Sequence, residues 1–468
     1  MTKRVQEEGI GKWLRTLLLR CDRILNSAFT QFTQRGTNGA MGYLLNFIYV
    51  LAWLAMTPWL CWQAWIRKKP ARGLVAKWLG RADHPRLTND RPTAWFHGVS
   101  VGEIHLLRQV VARFRTRFPD WQCVVSTTTA TGHDEACKHF TDLPVVYWPF
   151  DFTWAVANAL HTIRPTLVVL SEGELWPNFI RAAKKQNVAV AILNARMSPR
   201  SAKRFQTFRS LVASLFAQVD WIGAQNDEYR THYQQLGAAN VVVTGNIKYD
   251  GVNTDRTNVK TLAMRDLVGI APGELVWVIG STQDPEESLA IEIYRNAKAR
   301  FPQLRLIVVP RHPERFDEVA RLLANSGLPF VRRSALASPP SCEAILLIDT
   351  IGELGAIWGL ADVAYVGGSL DGKRGGQNMI EPSAYGAAVC FGPHTWNFKQ
   401  TVADLLASAA AIQVRNADEL EATILRLLAD ANERQRLGAA ARRFVLSQQG
   451  ATERSLDELA KLFPRLAA

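Results

Sequence analysis

The stretch FHGVSVGEIHLLRQV, residues 96–110, sets one carboxylate, Glu103, where an apolar strand pattern passes through a small-residue turn into a helical pattern. An acid in a first helical turn settles against the positive end of the helix dipole. Held beside a substrate hydroxyl, the same group can take a proton. Two further acids, Glu172 and Glu174, follow the apolar run LVVL in SEGELWPN, residues 171–178. Carboxylates at the end of a buried strand are costly unless hydrogen-bonded or functional. The ordinary alternative is a capping box between Ser171 and Glu174.

Basic residues cluster after other apolar runs. NARMSPRSAKRF, residues 194–205, presents Arg196, Arg200, Lys203 and Arg204, which suit an anionic ligand. In PRHPERF, residues 310–316, two prolines hold Arg311 and His312, as a structural turn or as a phosphate site. The long stretch VGGSLDGKRGGQNMIEPSAYGAAVCFGP, residues 366–393, combines a glycine-rich loop with Asn378 and Glu381 three apart at an expected helix start. Free backbone N–H groups in such a loop receive phosphate, and a carboxylate such as Glu381 suits ribose hydroxyls. No G-x-x-x-x-G-K-[ST] motif and no early strand followed by G-x-G-x-x-G occur, which excludes a P-loop NTPase and speaks against NAD. Without a D-x-D pair to place a divalent metal on a diphosphate, a donor with a single phosphate and no metal or other cofactor is expected.

The elements that must position these groups alternate in type. TAWFHGV, QCVVSTT, LVVLSE, VAVAILNA and VDWIGAQ read as strands, each followed by an amphipathic segment, and VVVTGNIKYDG closes a first half. The pattern restarts at LVWVIGST, residues 275–282, and runs through LRLIVVPRHP, AILLID, VAYVGGS and AAVCFGP to a helical C-terminus. This predicts an α/β protein of two Rossmann-like domains, 67–250 and 251–468, facing each other across a cleft. Ligands in such sheets bind beyond the carboxyl ends of the strands, where most of the polar clusters fall.

A chain of 468 residues with 48% hydrophobic content is globular and too long for one ordinary core. Its net charge of +13 points to an anionic partner, and with no recognised binding module nucleic acid is not expected. The six cysteines are scattered, which argues against a zinc site or a disulfide framework. YLLNFIYVLAWLAMTPWLCWQAWI, residues 43–66, has no formal charge and is followed at once by RKKPAR. It reads as a membrane anchor, spanning or lying in the inner leaflet, with the body of the protein on the cytoplasmic side. Residues 1–42 form a basic extension able to make an amphipathic helix, and Met41 offers a second start directly before the apolar run.

Taken in order, HGVSVGE, STTTATG, SEGELWPN, NARMS, TGNIKYD, GST, PRHPERF, DTIGELG, VGGS, GGQNMIEPSAYG and FGPHTWNF resemble the 3-deoxy-D-manno-octulosonic acid (Kdo) transferases, GT-B glycosyltransferases of lipopolysaccharide assembly. The chain departs from that pattern at Gly173, where the family has E-T-E-L-W-P-N, and at Gln283, Gln377 and Met379. The resemblance implies inverting, metal-independent transfer of Kdo from CMP-Kdo to a lipid A precursor, lipid IVA, at the inner membrane. By it Glu103 is the general base, while Glu174 and Arg196 orient the acceptor or the base. Lys248, Arg311, His312, Gly352, Glu353, Leu354, Asn378 and Glu381 fall around the CMP-Kdo donor. Competing readings are a membrane-associated GT-B enzyme using a UDP-sugar, and a non-catalytic lipid- or nucleotide-binding relative.

Overall fold

The computed structural model describes residues 38–67, 72–82, 87–88 and 90–463, with the side chains of the first helix described over 41–55. Most of the expected basic extension therefore lies outside the described residues. The chain divides into two compact units, one reaching Val242 and taking back the segment from Glu458, the other running from Val243 to Asp457.

The first unit is built on seven strands: β1 (Thr93–His97), β2 (Gln122–Thr127), β3 (Val145–Tyr147), β4 (Leu167–Ser171), β5 (Ala189–Ala195), β6 (Trp221–Ala224) and β7 (Val241–Val243). Their order is β3-β2-β1-β4-β5-β6-β7, and the pairings from β3 to β6 are parallel. β1, β4 and β5 are buried at every position, because helices cover both faces of a parallel sheet and leave no wet side for polar alternation. The chain leaves β1 in one direction, through β2 and β3, then crosses back to place β4 on the other side of β1. The crevice at that reversal is where an open sheet of this kind receives ligands. The C-terminal segment returns to this unit through Phe463, whose ring lies against Phe114, Phe118 and Trp121.

The second unit repeats the design with β8 (Leu275–Thr282), β9 (Leu304–Pro310), β10 (Phe330–Arg332), β11 (Ile345–Leu347), β12 (Val363–Val366), β13 (Ala388–Phe391) and β14 (Ile412–Gln413). The order is β10-β11-β9-β8-β12-β13-β14 and every adjacent pair is parallel. Its reversal lies between β8 and β12.

The anchor expected over 43–66 falls within the helix Asn38–Arg67, and one correction applies to it. Among the described residues no helix is long and apolar enough to cross a membrane, so a spanning anchor is not supported. One face of the helix is committed to protein. Asn46 donates to the Thr153 hydroxyl at 2.7 Å, Tyr49 donates to Asp151 at 3.1 Å, and the Trp53 ring lies 5.3 Å from that of Trp78. Tyr43, Phe47, Leu51 and Leu54 remain exposed, three or four residues apart, and so form an apolar stripe on another face.

Candidate functional site

Glu103 stands just beyond the carboxyl end of β1, in the first turn of the helix Val101–Arg117. Ser100 is the N-cap and accepts from the Glu103 backbone N–H, while the Glu103 side chain turns back: Oε2 accepts from the Val99 N–H at 2.9 Å and Oε1 from the Ser100 hydroxyl at 2.9 Å. The arrangement is a variant of the capping box, with the carboxylate bonded to the N–H of the residue before the N-cap, and it fixes the carboxylate. The loop itself is held by STTTATG, since the hydroxyls of Thr127 and Thr129 donate to the Val99 carbonyl at 3.0 and 3.1 Å. Burial is the largest influence on Glu103, and its pKa is raised despite the opposing hydrogen bonds from Val99 and Ser100.

β4 delivers Glu172 and Glu174 on the other side of the reversal. Glu172 pairs with Arg196 from the end of β5 at 2.8 Å. Gly173 has φ +106°, and a Cβ there would meet the Tyr233 hydroxyl at 2.2 Å, so glycine is required at this position of the chain. The capping box that was the ordinary alternative for Ser171 and Glu174 does not form. The helix starts at Pro177 with Trp176 as its N-cap, because Gly173 and the turn after it carry the chain away from helical geometry. Glu174 instead points back toward β1. Burial first, then the nearby Glu103 charge, pushes it up to about 7.

Glu174 faces His97, the last residue of β1, which is 1% exposed. The imidazole stacks on Trp148 with centroids 4.0 Å apart. Its Nδ1 lies 3.2 Å from the Ser126 carbonyl, an acceptor only, so that nitrogen carries the proton. Burial holds the His97 pKa down to about 3, leaving Nε2 as a lone pair. Nε2 and Glu174 Oε2 are both buried without a hydrogen bond and stand 3.8 Å apart. A neutral imidazole acceptor and a carboxyl that keeps its proton near neutrality are matched in type, at a distance too long for a bond.

In the second unit the glycine-rich loop is fixed by a residue that sequence reasoning passed over. Glu286, 2% exposed, accepts from the backbone N–H of Gln283, Gly368 and Ser369 at 2.9, 2.8 and 3.1 Å, and from the Tyr365 hydroxyl at 3.0 Å. It thereby joins the ends of β8 and β12 across the reversal. The only sign in the sequence is a pair of acids, Glu286 and Glu287, opening the helix that follows β8.

Asn378 and Glu381 meet as their spacing implied: Asn378 Nδ2 donates to Glu381 Oε1 at 2.9 Å, and Asn378 Oδ1 accepts from the Ile380 N–H. Burial raises the Glu381 pKa, opposed by Asn378 and by the charge of Arg311, which follows β9. The GEL turn is close by, since a Cβ on Gly355 would lie 4.0 Å from Glu381 Oε2. Within that turn Gly352 has φ +88° with open space around it, Glu353 is paired with Arg333 at 2.8 Å and with the Thr350 hydroxyl, and Leu354 packs on the core. His312 is exposed at the start of the turn Pro313–Arg315. Lys248 is exposed on a turn whose next residue, Tyr249, packs with Ile380 and Ala384. The sequence-predicted residues thus fall into two groups, Glu103, Glu174 and Arg196 in one unit and the remainder in the other.

A family profile described as 3-Deoxy-D-manno-octulosonic-acid transferase (kdotransferase) matches residues 75–251. The 3-deoxy-D-manno-octulosonic acid transferase of Haemophilus influenzae is 34% identical over 369 residues, 78% of this chain and 86% of that one. The chain belongs to the Kdo transferase family. The Bordetella pertussis Kdo transferase is 33% identical over 426 residues, 88% of this chain and 98% of that one. A glycosyltransferase from Rickettsia africae shares the fold, with a TM-score of 0.51 at 12% identity, over 81% of this chain and 99% of that one. The molecule is a glycosyltransferase with two parallel-sheet α/β domains of the GT-B kind, and it transfers Kdo in lipopolysaccharide biosynthesis.

Proposed function

We propose that this Kdo transferase moves Kdo from CMP-Kdo to lipid IVA with inversion and without metal, and that Glu103 is the general base. The observation that carries this reading is the placement of Glu103. Its carboxylate is fixed at the sheet reversal by Val99 and Ser100, and burial raises its pKa. A helix N-terminus alone would weaken the base, but desolvation outweighs that effect, so the carboxylate is a better proton acceptor than an exposed one. CMP is already a good leaving group, so an activated hydroxyl is the nucleophile the reaction lacks. Glu174 and Arg196 orient the base and the acceptor, Arg196 acting through Glu172.

Donor binding is assigned to the second unit. Glu381, positioned by Asn378, offers a charged acceptor to the ribose hydroxyls, and Arg311 with the loop pinned by Glu286 faces the phosphate. Lys248, His312 and the turn Gly352–Glu353–Leu354 complete that set. The acceptor is an anionic glycolipid, which the net charge of +13 suits. We place the protein on the cytoplasmic face of the inner membrane, with the stripe Tyr43, Phe47, Leu51 and Leu54 seated in the interface rather than crossing it.

The test mixes purified protein, CMP-Kdo and tetra-acylated lipid A precursor in the presence of chelator, with products read by mass spectrometry. Wild type is expected to add Kdo. Glu103→Gln is expected to lose about 10²- to 10⁴-fold in kcat while CMP binding is retained. Undiminished turnover in that variant would remove Glu103 from the role.

A further inference from the structure

The helix Val101–Arg117 and the helix Ala130–His139 bring three ligand-bearing side chains to one point: His105, Glu135 and His139. One ligand atom from each lies within 4.8 Å of the other two. Glu135 and His139 are four apart, on one face of their helix. Both imidazoles address the same oxygen: His139 Nε2 is 2.9 Å and His105 Nε2 is 3.6 Å from Glu135 Oε1. The other oxygen, Oε2, is taken by Lys138 at 3.4 Å, which leaves Oε1 to the histidines. The two rings stand 5.3 Å apart, inclined at 63°. His105 is 52% exposed and the other two side chains are about one-quarter exposed or less, so an ion can enter from solvent.

We propose that His105, Glu135 and His139 form a binding site for a divalent first-row transition metal, with Zn²⁺ the ion of choice. Two imidazoles and one carboxylate are a frequent zinc donor set, with water completing a tetrahedral shell. Imidazole nitrogen excludes Mg²⁺ and Ca²⁺ as preferred occupants. The positive charges of Arg108 and Lys138 oppose a cation, so micromolar rather than nanomolar affinity is expected. The site is separate from sugar transfer and needs no part of the proposed mechanism. Its effect is mechanical: it ties the helix that carries Glu103 in its first turn to the helix whose N-cap, Thr129, holds the Val99 carbonyl. The scattered cysteines gave no hint of it, because none of its ligands is a cysteine.

Full-length protein, freed of metal with chelator, would be titrated with Zn²⁺ against a chromophoric competitor, and with Co²⁺ for its visible absorption. Wild type is expected to bind one ion per chain and to melt at a higher temperature with zinc. His105→Ala and His139→Ala each remove a ligand and are expected to bind at least about 10- to 100-fold more weakly, the loss that a change in an outer-shell partner already produces. Cys137→Ser, on the same helix, should bind as wild type, and the Co²⁺ spectrum should lack a thiolate charge-transfer band. Equal affinity in wild type and both histidine variants would overturn the proposal. So would loss confined to Cys137→Ser, or no saturable binding at about 100 μM zinc. Circular dichroism of the metal-free variants separates loss of a ligand from loss of fold.

Discussion

Glu174→Gln offers a sharp test of the electrostatics at the sheet reversal. The folded protein holds this carboxyl's proton up to about pH 7, against 4.5 for the ordinary group. Burial and the Glu103 charge both disfavour its ionised form, so the folded state binds the proton more tightly than the unfolded chain does. The resulting stability is fully present below pH 4.5 and is lost as pH rises through about 7. A unit of pKa corresponds to ~1.4 kcal/mol, which sets a ceiling of ~3 kcal/mol. With the side chain 34% exposed, solvent screening reduces the expected effect to ~1–2 kcal/mol. Glutamine keeps the shape and removes the charge, and its amide can donate toward the His97 lone pair. At about pH 8 the variant should therefore be more stable than wild type by ~1–2 kcal/mol, a rise of ~2–8 °C in melting temperature for a unit of this size. Near pH 4.5 the two proteins should melt together. Thermal unfolding followed by tryptophan fluorescence at stepped pH measures both. A variant less stable than wild type at pH 8, or a difference that does not change with pH, would refute the reasoning. Glu103→Gln should move the wild-type curve in the same direction by a smaller amount, since Glu103 is the second cause of the shift.

Two further outcomes follow from backbone geometry. Gly173→Ala puts a side chain at φ +106° and against the Tyr233 hydroxyl, so it should cost at least ~2 kcal/mol in denaturant unfolding. Adding Tyr233→Phe should recover part of that loss by opening space, leaving the strain. Glu286→Gln turns an amide nitrogen toward donors that now meet a carboxylate. It should destabilise the second unit by at least ~2 kcal/mol and weaken CMP binding, measured by calorimetry, whereas unchanged CMP affinity would show that the loop does not need this anchor.

The sequence by itself determined the element types and the two-unit plan. LVWVIGST is β8 to the residue, and TAWFHGV, LVVLSE and VAVAILNA contain β1, β4 and β5. Runs of this kind are legible because a strand buried on both faces must be apolar throughout. The short strands β3 and β10 were not legible, since Pro144 and Pro149 bracket the first and Pro329 directly precedes the second, and prolines beside a short apolar run read as loop. Asn378 and Glu381 were readable as a pair because one helical turn fixes their separation.

What only the tertiary structure decided is which strand ends are neighbours. β1 and β4 are about 70 residues apart in the chain but adjacent in the sheet, and that adjacency brings Glu103, Glu174 and His97 into one environment. The same holds for Glu286, whose partners Tyr365, Gly368 and Ser369 lie 79 to 83 residues further on. It holds also for His105 with Glu135 and His139, placed together by two helices packed side by side. Local sequence carries periodicity and capping, which act over a turn or a strand. Burial, and the charge felt across a sheet reversal, depend on strand order, and no short stretch of the chain encodes that order on its own.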